Sequence, residues 1–176
     1  MCLPQENRVN SAVLLLAAVT VERLGELRLA RRNTNALLAK GGYEVAREHY
    51  PLIVLLHALW LAGLWIFGWS ATINLGWLGV FLALQAGRFW VLATLGRRWT
   101  TRIIVVPGSP LIMTGPYRLF SHPNYLVVIG EIAVLPLCLG MPFYALGFSA
   151  ANLAVLAIRV RAENMSLFGA REIEHS

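Results

Sequence analysis

The stretch Pro51–Trp69, PLIVLLHALWLAGLWIFGW, contains no Lys, Arg, Asp or Glu and carries one histidine, His57. A helix over it rises about 1.5 Å per residue and reaches roughly 28 Å, close to the ~30 Å hydrocarbon core of a bilayer. Working outward, four further mainly apolar runs follow, the first amphipathic at its end: Val9–Leu29, Trp77–Leu95, Pro123–Gly140 and Phe143–Ile158. The pattern predicts an all-α integral membrane protein of about five transmembrane helices, with residues 1–176 as a single domain. Composition agrees, with 57% hydrophobic and 14% charged residues and a mean hydropathy of +0.62.

The loops set an orientation. Arg28, Arg31, Arg32, Lys40 and Arg47 separate the first two runs. Arg97, Arg98, Arg102 and Arg118 separate the third and fourth, and Arg159, Arg161 and Arg171 follow the fifth. Ser70–Gly76 and Gly140–Pro142 carry no charge. Basic loops stay cytoplasmic, so the N-terminus is expected outside and the C-terminus in the cytoplasm, as in a bacterial inner membrane. Trp69 and Trp77 flank an outer turn, at headgroup level. The run Ser11–Val21 leads directly into Glu22, Arg23 and Glu26, which favours a retained first span over a cleaved leader.

The net charge of +6 and pI near 10.0 raise nucleic acid as a partner. The basic residues punctuate apolar runs and form no Lys/Arg tract, so nucleic acid is not expected. Cys2 and Cys138 lack metal-site spacing, the chain has no aspartate, and no GxGxxG is present. No metal is expected.

Polar chemistry concentrates in Gly115-Pro116-Tyr117-Arg118-Leu119-Phe120-Ser121-His122-Pro123-Asn124-Tyr125. Gly-Pro signals a turn, and Pro123 suits a first helical turn, where a missing N–H costs nothing. Arg118 and His122 then stand at a helix mouth whose free N–H groups favour an anion such as a carboxylate. Glu131 falls about 12 Å further in at 1.5 Å per residue, near the bilayer midplane. Its carboxylate costs about 2.5–3.5 kcal/mol there, so it is expected to face the bundle interior against a partner. Arg159 and Glu163 share a face at i,i+4; a helix-end ion pair and a binding role are both open. Plain readings also stand for other residues: a packed His57, an interfacial anchor for His49, a solvated face for Glu22 and Glu26, and a membrane anchor for Trp99.

The ordered set Gly115-Pro116-Tyr117-Arg118, His122-Pro123-Asn124-Tyr125, Glu131 and Arg159-Val160-Arg161-Ala162-Glu163 resembles the isoprenylcysteine carboxyl methyltransferase family and its phospholipid methyltransferase relatives. Asn164 stands where that family carries a second glutamate. Glu22-Arg23-Leu24, Glu26-Leu27, Arg32-Asn33, His49-Tyr50-Pro51, Arg88-Phe89-Trp90 and Trp99-Thr100-Thr101 are similar to a bacterial branch that methylates alkylpyrone or alkylresorcinol lipids.

The resemblance implies S-adenosylmethionine as cofactor, bound on the cytoplasmic side within a donor-binding half of about residues 108–168, by His122, Pro123, Tyr125, Arg159 and Glu163. It implies Tyr117, Arg118 and Glu131 as catalytic candidates. Glu22, Glu26, His49, Arg88 and Trp99 become candidates for a lipid-like acceptor. Assembly into a homo-oligomer stays open. So do a nicotinamide-dependent membrane reductase, because sterol reductases share a similar HP-x-Y region, and a small transporter using Glu131 and Arg118.

Overall fold

The computed structural model describes residues 5–110 and 112–174, with side chains for 11–48, 50–110 and 112–161. Five helices follow one another: α1 (Gln5–Leu38), α2 (Tyr50–Gly68), α3 (Leu75–Leu95), α4 (Pro123–Cys138) and α5 (Pro142–Glu174). Each expected apolar run lies within one of them, give or take its ends. Among the described residues, α2, α3 with its 3-10 extension, and the first part of α5 are long and apolar enough to cross a membrane. α4 is apolar but shorter, with 16 residues. The protein is an all-α integral membrane protein.

Two departures from the sequence reading have physical causes. α1 continues past Leu29 to Leu38, where a loop was expected. Its last turns bury Ala30, Asn33 and Thr34, and the Asn33 side-chain amide donates to the carbonyls of Gly96 (3.1 Å) and Trp99 (2.8 Å). Tertiary hydrogen bonds thus hold a polar stretch helical. The second departure is a small antiparallel ribbon, β1 (Tyr43–Val45) with β2 (Ile103–Val105), pairing Glu44 with Ile104. Arg102 locks it, donating to Glu44 at 2.8 Å and lying 4.6 Å over the Tyr50 ring. The Glu44 carboxylate holds the Arg102 guanidinium above its ordinary pKa.

At the opposite end the two uncharged turns meet. The Asn74 backbone N–H donates to the Cys138 carbonyl at 2.8 Å. The Asn74 side chain caps α3, accepting from the backbone of Gly76 and Trp77, which satisfies donors a helix start leaves free.

Between these ends the core packs Leu16 and Val19 of α1, Trp60 and Leu64 of α2, Phe81 of α3, and Ile132, Leu135 and Cys138 of α4. Indole donors stitch it, Trp60 to the Ile132 carbonyl (3.3 Å) and Trp65 to the Thr20 hydroxyl (3.0 Å). Small residues allow close approach. A Cβ on Gly130 would lie 2.7 Å from Leu84, and one on Gly63 would lie 2.1 Å from the Tyr144 hydroxyl. Close approach through small residues is how membrane helices gain packing that lipid does not drive. Large apolar side chains such as Leu55, Ile66, Phe67, Leu82, Phe89 and Phe143 point outward, suited to acyl chains.

The Tyr144 hydroxyl donates to the Trp60 carbonyl at 2.8 Å and its ring stacks on Phe148, so it has little room to retreat. Gly63→Val is expected to part α2 from α5 and to lower stability by about 1–3 kcal/mol, the usual range for overpacking. Thermal unfolding in detergent measures this; an unchanged midpoint contradicts the packing described.

Candidate functional site

Two polar features occupy opposite faces of α4. The first is an open groove between α4 and α5. Pro116, buried at the start of a 3-10 turn over Gly115–Arg118, seats the GPYR segment. That turn lies against the end of α3, since a Cβ on Gly115 (φ +57°) would meet the Thr94 hydroxyl at 2.5 Å. Residues 119–121 then lead into α4, which opens with His122 at its cap and Pro123 at its first position.

The groove encloses about 650 Å³ and is lined by Leu119–Ser121, His122, Tyr125 and Ile129 on one side and Leu153, Leu156, Ala157 and Val160 on the other. That volume lies inside the roughly 300–1,000 Å³ typical of small-molecule sites. The His122 and Tyr125 rings stack at 5.2 Å. Arg159 of α5 donates through Nε to the Tyr125 hydroxyl at 2.9 Å, with its guanidinium 5.7 Å from the ring centroid. One guanidinium therefore ties the mouth of α4 to α5.

The second feature is a buried ion cluster joining α1, α3 and α4. Arg88 of α3 grips Glu26 through Nε and through Nη2 (2.5 Å), and donates through Nη1 to Glu131 at 2.7 Å. Arg23 pairs with Glu26 at 2.9 Å and with Glu131 at 3.0 Å. The Gln85 amide nitrogen donates to Glu22 at 3.2 Å. Arg88, Glu131 and Gln85 are almost fully buried, while the Glu22 and Arg23 side chains keep about a fifth of their surface open.

Helical geometry separates the two features. His122, Tyr125, Leu126 and Ile129 face the groove. Glu131 lies about 200° round the helix from Ile129, at 100° per residue, on the face of Val127 and Leu135. The intramembrane carboxylate thus points toward α1 and α3.

The structure brings His122, Tyr125 and Arg159 together, with Pro123 buried beneath them. It separately joins Glu22, Glu26, Arg88 and Glu131. Tyr117 is half-buried and Arg118 exposed on the 3-10 turn beside the groove. Trp99 is 3% exposed, receives Asn33, and anchors α1 outside the groove. His49 closes a 3-10 turn ahead of α2 and Glu163 lies on α5; their side chains fall outside the described residues. Arg23, read only as part of a motif, and Gln85 were not among the expected site residues. The signal for Arg23 was its position among apolar residues at i,i+3 to Glu26; Gln85, uncharged inside α3, gave a weaker one. Among the described residues, no group of His, Cys, Asp and Glu is arranged to hold a metal ion.

Residues 77–169, which contain the groove, match the family described as the isoprenylcysteine carboxyl methyltransferase (ICMT) family. The chain belongs to that family. ICMT proteins are membrane methyltransferases that use S-adenosylmethionine as methyl donor. The chain is 38% identical over 159 residues to an uncharacterized Bacillus subtilis protein, YpbQ, covering 88% of this chain and 95% of the relative. It is 24% identical over 161 residues to an uncharacterized Haemophilus influenzae protein, covering 88% and 93%. No solved structure gives a significant match.

The groove fits the family's donor. It is large enough and it offers an aromatic pair.

Removing Arg88 alone leaves three carboxylates facing one guanidinium. Arg88→Met is expected to destabilise the fold by about 3–5 kcal/mol, the scale for an orphaned buried charge. Pairing it with Glu131→Met should recover part of that loss. A double mutant as unstable as the two losses summed contradicts the coupling.

Proposed function

We propose that the protein transfers a methyl group from S-adenosylmethionine to an oxygen of a lipid-like acceptor of the alkylpyrone or alkylresorcinol type, at the cytoplasmic boundary of the bacterial inner membrane. The observation that carries the reading is the groove. It has the His122 and Tyr125 rings at its polar end, and its rim is formed by Leu119, Phe120, Leu126 and Leu153, each about half exposed or more. A rim of this kind admits an alkyl chain sideways from the bilayer while the head reaches the helix mouth.

S-adenosylmethionine supplies an electrophilic methyl group on a sulfonium, and the rest of the work falls to the chain. The His122 and Tyr125 rings offer faces that attract a cation. Arg159, by holding the Tyr125 hydroxyl, fixes that ring's angle. Pro123 carries no N–H and the Tyr125 N–H donates to the His122 carbonyl at 3.1 Å, so the Asn124 N–H in the first turn of α4 is assigned to the donor carboxylate. Glu163, one turn beyond Arg159, is assigned to the ribose hydroxyls.

Arg118 is assigned to orienting the acceptor oxygen and Tyr117 to the junction of donor and acceptor. His49 is assigned to the acceptor side, whereas Glu22, Glu26 and Arg88, on the opposite face of α4, and Trp99, outside the groove, act in this reading by holding the helices in place. Glu131 acts as a positioning residue, through Arg88 and Arg23. Alignment of oxygen, methyl and sulfur is the main task of such an enzyme, and exclusion of water assists because charge is neutralised as the methyl moves.

The functional assignments predict two separable effects. In calorimetric titration of detergent-solubilised protein, Tyr125→Ala is expected to weaken S-adenosylmethionine binding at least about 10-fold, equivalent to about 1.4 kcal/mol. Arg118→Ala should leave binding within about 2-fold and abolish methyl transfer to an alkylresorcinol. Binding of NADPH with no binding of S-adenosylmethionine contradicts the reading and favours a reductase.

A further inference from the structure

The ion cluster does not balance. Glu22, Glu26 and Glu131 contribute three negative charges, and Arg23 and Arg88 contribute two positive ones. Both guanidiniums are committed to Glu26 and Glu131. Glu22 is left with Arg23 at 3.9 Å and the neutral Gln85 amide. An uncompensated carboxylate inside a membrane bundle is costly, and groups so placed neutralise rather than remain charged.

A second observation points the same way. Gln85 is 8% exposed, and while its nitrogen donates to Glu22, its Oε1 is buried without any hydrogen-bond partner. A buried acceptor without a donor costs about 1–3 kcal/mol. Glu131 Oε1 is also buried without a hydrogen bond, but the Arg23 guanidinium pairs with it at 3.0 Å; Glu22 and Gln85 are the adjacent side chains that lack a cation and a donor hydrogen.

We propose that Glu22 and Gln85 form a proton-binding site within the membrane. One proton on the free Glu22 oxygen brings the cluster to zero net charge. The protonated carboxyl can then donate to Gln85 Oε1 while the Gln85 amide donates back, a two-point acid–amide pair that satisfies the orphaned oxygen. The proton adds to a lone pair of the carboxylate, and no other bond changes.

The charged and titratable groups facing Glu22 are Arg23 and Glu26 on its own helix, Arg88 on α3 and Glu131 on α4. His57 on α2 is the other titratable group in the neighbourhood. Its Nδ1 is bonded to the Ile53 carbonyl at 2.9 Å. The proton is placed on Glu22, whose carboxylate already meets the Gln85 amide at 3.2 Å. The exposed fifth of the Glu22 side chain gives the proton a way in.

The site is tested without reference to methyl transfer, by infrared spectroscopy of the full chain in lipid nanodiscs across a pH titration. A protonated-carboxyl carbonyl band is expected at neutral pH, lost in Glu22→Gln and kept in His57→Gln and Glu44→Gln. Gln85→Leu, which keeps Glu22, is expected to move the band to higher frequency as its acid–amide pair is broken. This second variant tests the site even if Glu22→Gln fails to fold. A band that survives Glu22→Gln, the absence of any such band at neutral pH, or a carboxylate signal governed by sodium instead of pH overturns the proposal.

Discussion

Arg88 holds three helices at one point. Its guanidinium meets Glu26 of α1 with two nitrogens and Glu131 of α4 with a third, a fork geometry that lysine cannot reproduce. Besides the Arg23–Glu131 pair, the Gln85–Glu22 bond and the shared apolar core, the closest backbone approaches of α1 among the described residues are to α2 and to the polar segment around Gly96 and β2. In an apolar solvent the hydrophobic effect does not press helices together. A buried, multiply bonded ion pair is then a strong means of fixing which helix lies beside which, and at what height. The height matters, since it fixes where the first turn of α4 meets the membrane surface and so where the groove opens.

That division of labour accounts for the two faces of α4. The face toward α1 and α3 carries Glu131 and apolar packing residues, and it secures the helix. The face toward α5 carries His122, Tyr125 and Ile129 and leaves an open volume. Arg159 joins the groove to the β1–β2 ribbon as well. It touches Tyr125 on one side and lines a water-sized space with Glu44, Tyr50 and Arg102 on the other. The ribbon, trivial in length, thereby braces the residue that sets the Tyr125 ring.

Much of this was legible in the sequence because the bilayer imposes a coarse rule: apolar runs about 20 residues long become helices. Pro51–Trp69 and Trp77–Leu95 fall on α2 and α3 almost end to end. The demand that a membrane-buried Glu131 find a partner was also readable, and Arg88 and Arg23 answer it. What escaped were features made by long-range pairing. The end of α1 is helical because Asn33 finds carbonyls more than 60 residues away. The β1–β2 ribbon joins two three-residue strings too short for any periodicity. The direction in which Glu131 faces could not be read either, since it depends on which neighbours cover each side of α4. Gln85 was missed because a single amide among apolar residues is as often a satisfied core residue as a member of a site.

The account rests on the groove between α4 and α5 as the place where donor and acceptor meet. The most direct measurement is a structure of the protein with S-adenosylhomocysteine bound. The account predicts the adenosyl group between the His122–Tyr125 pair and the Leu156–Val160 stretch of α5, with Glu163 turned toward the ribose. Density on the α1–α3 side of α4, or an unchanged groove at saturating ligand, would contradict it.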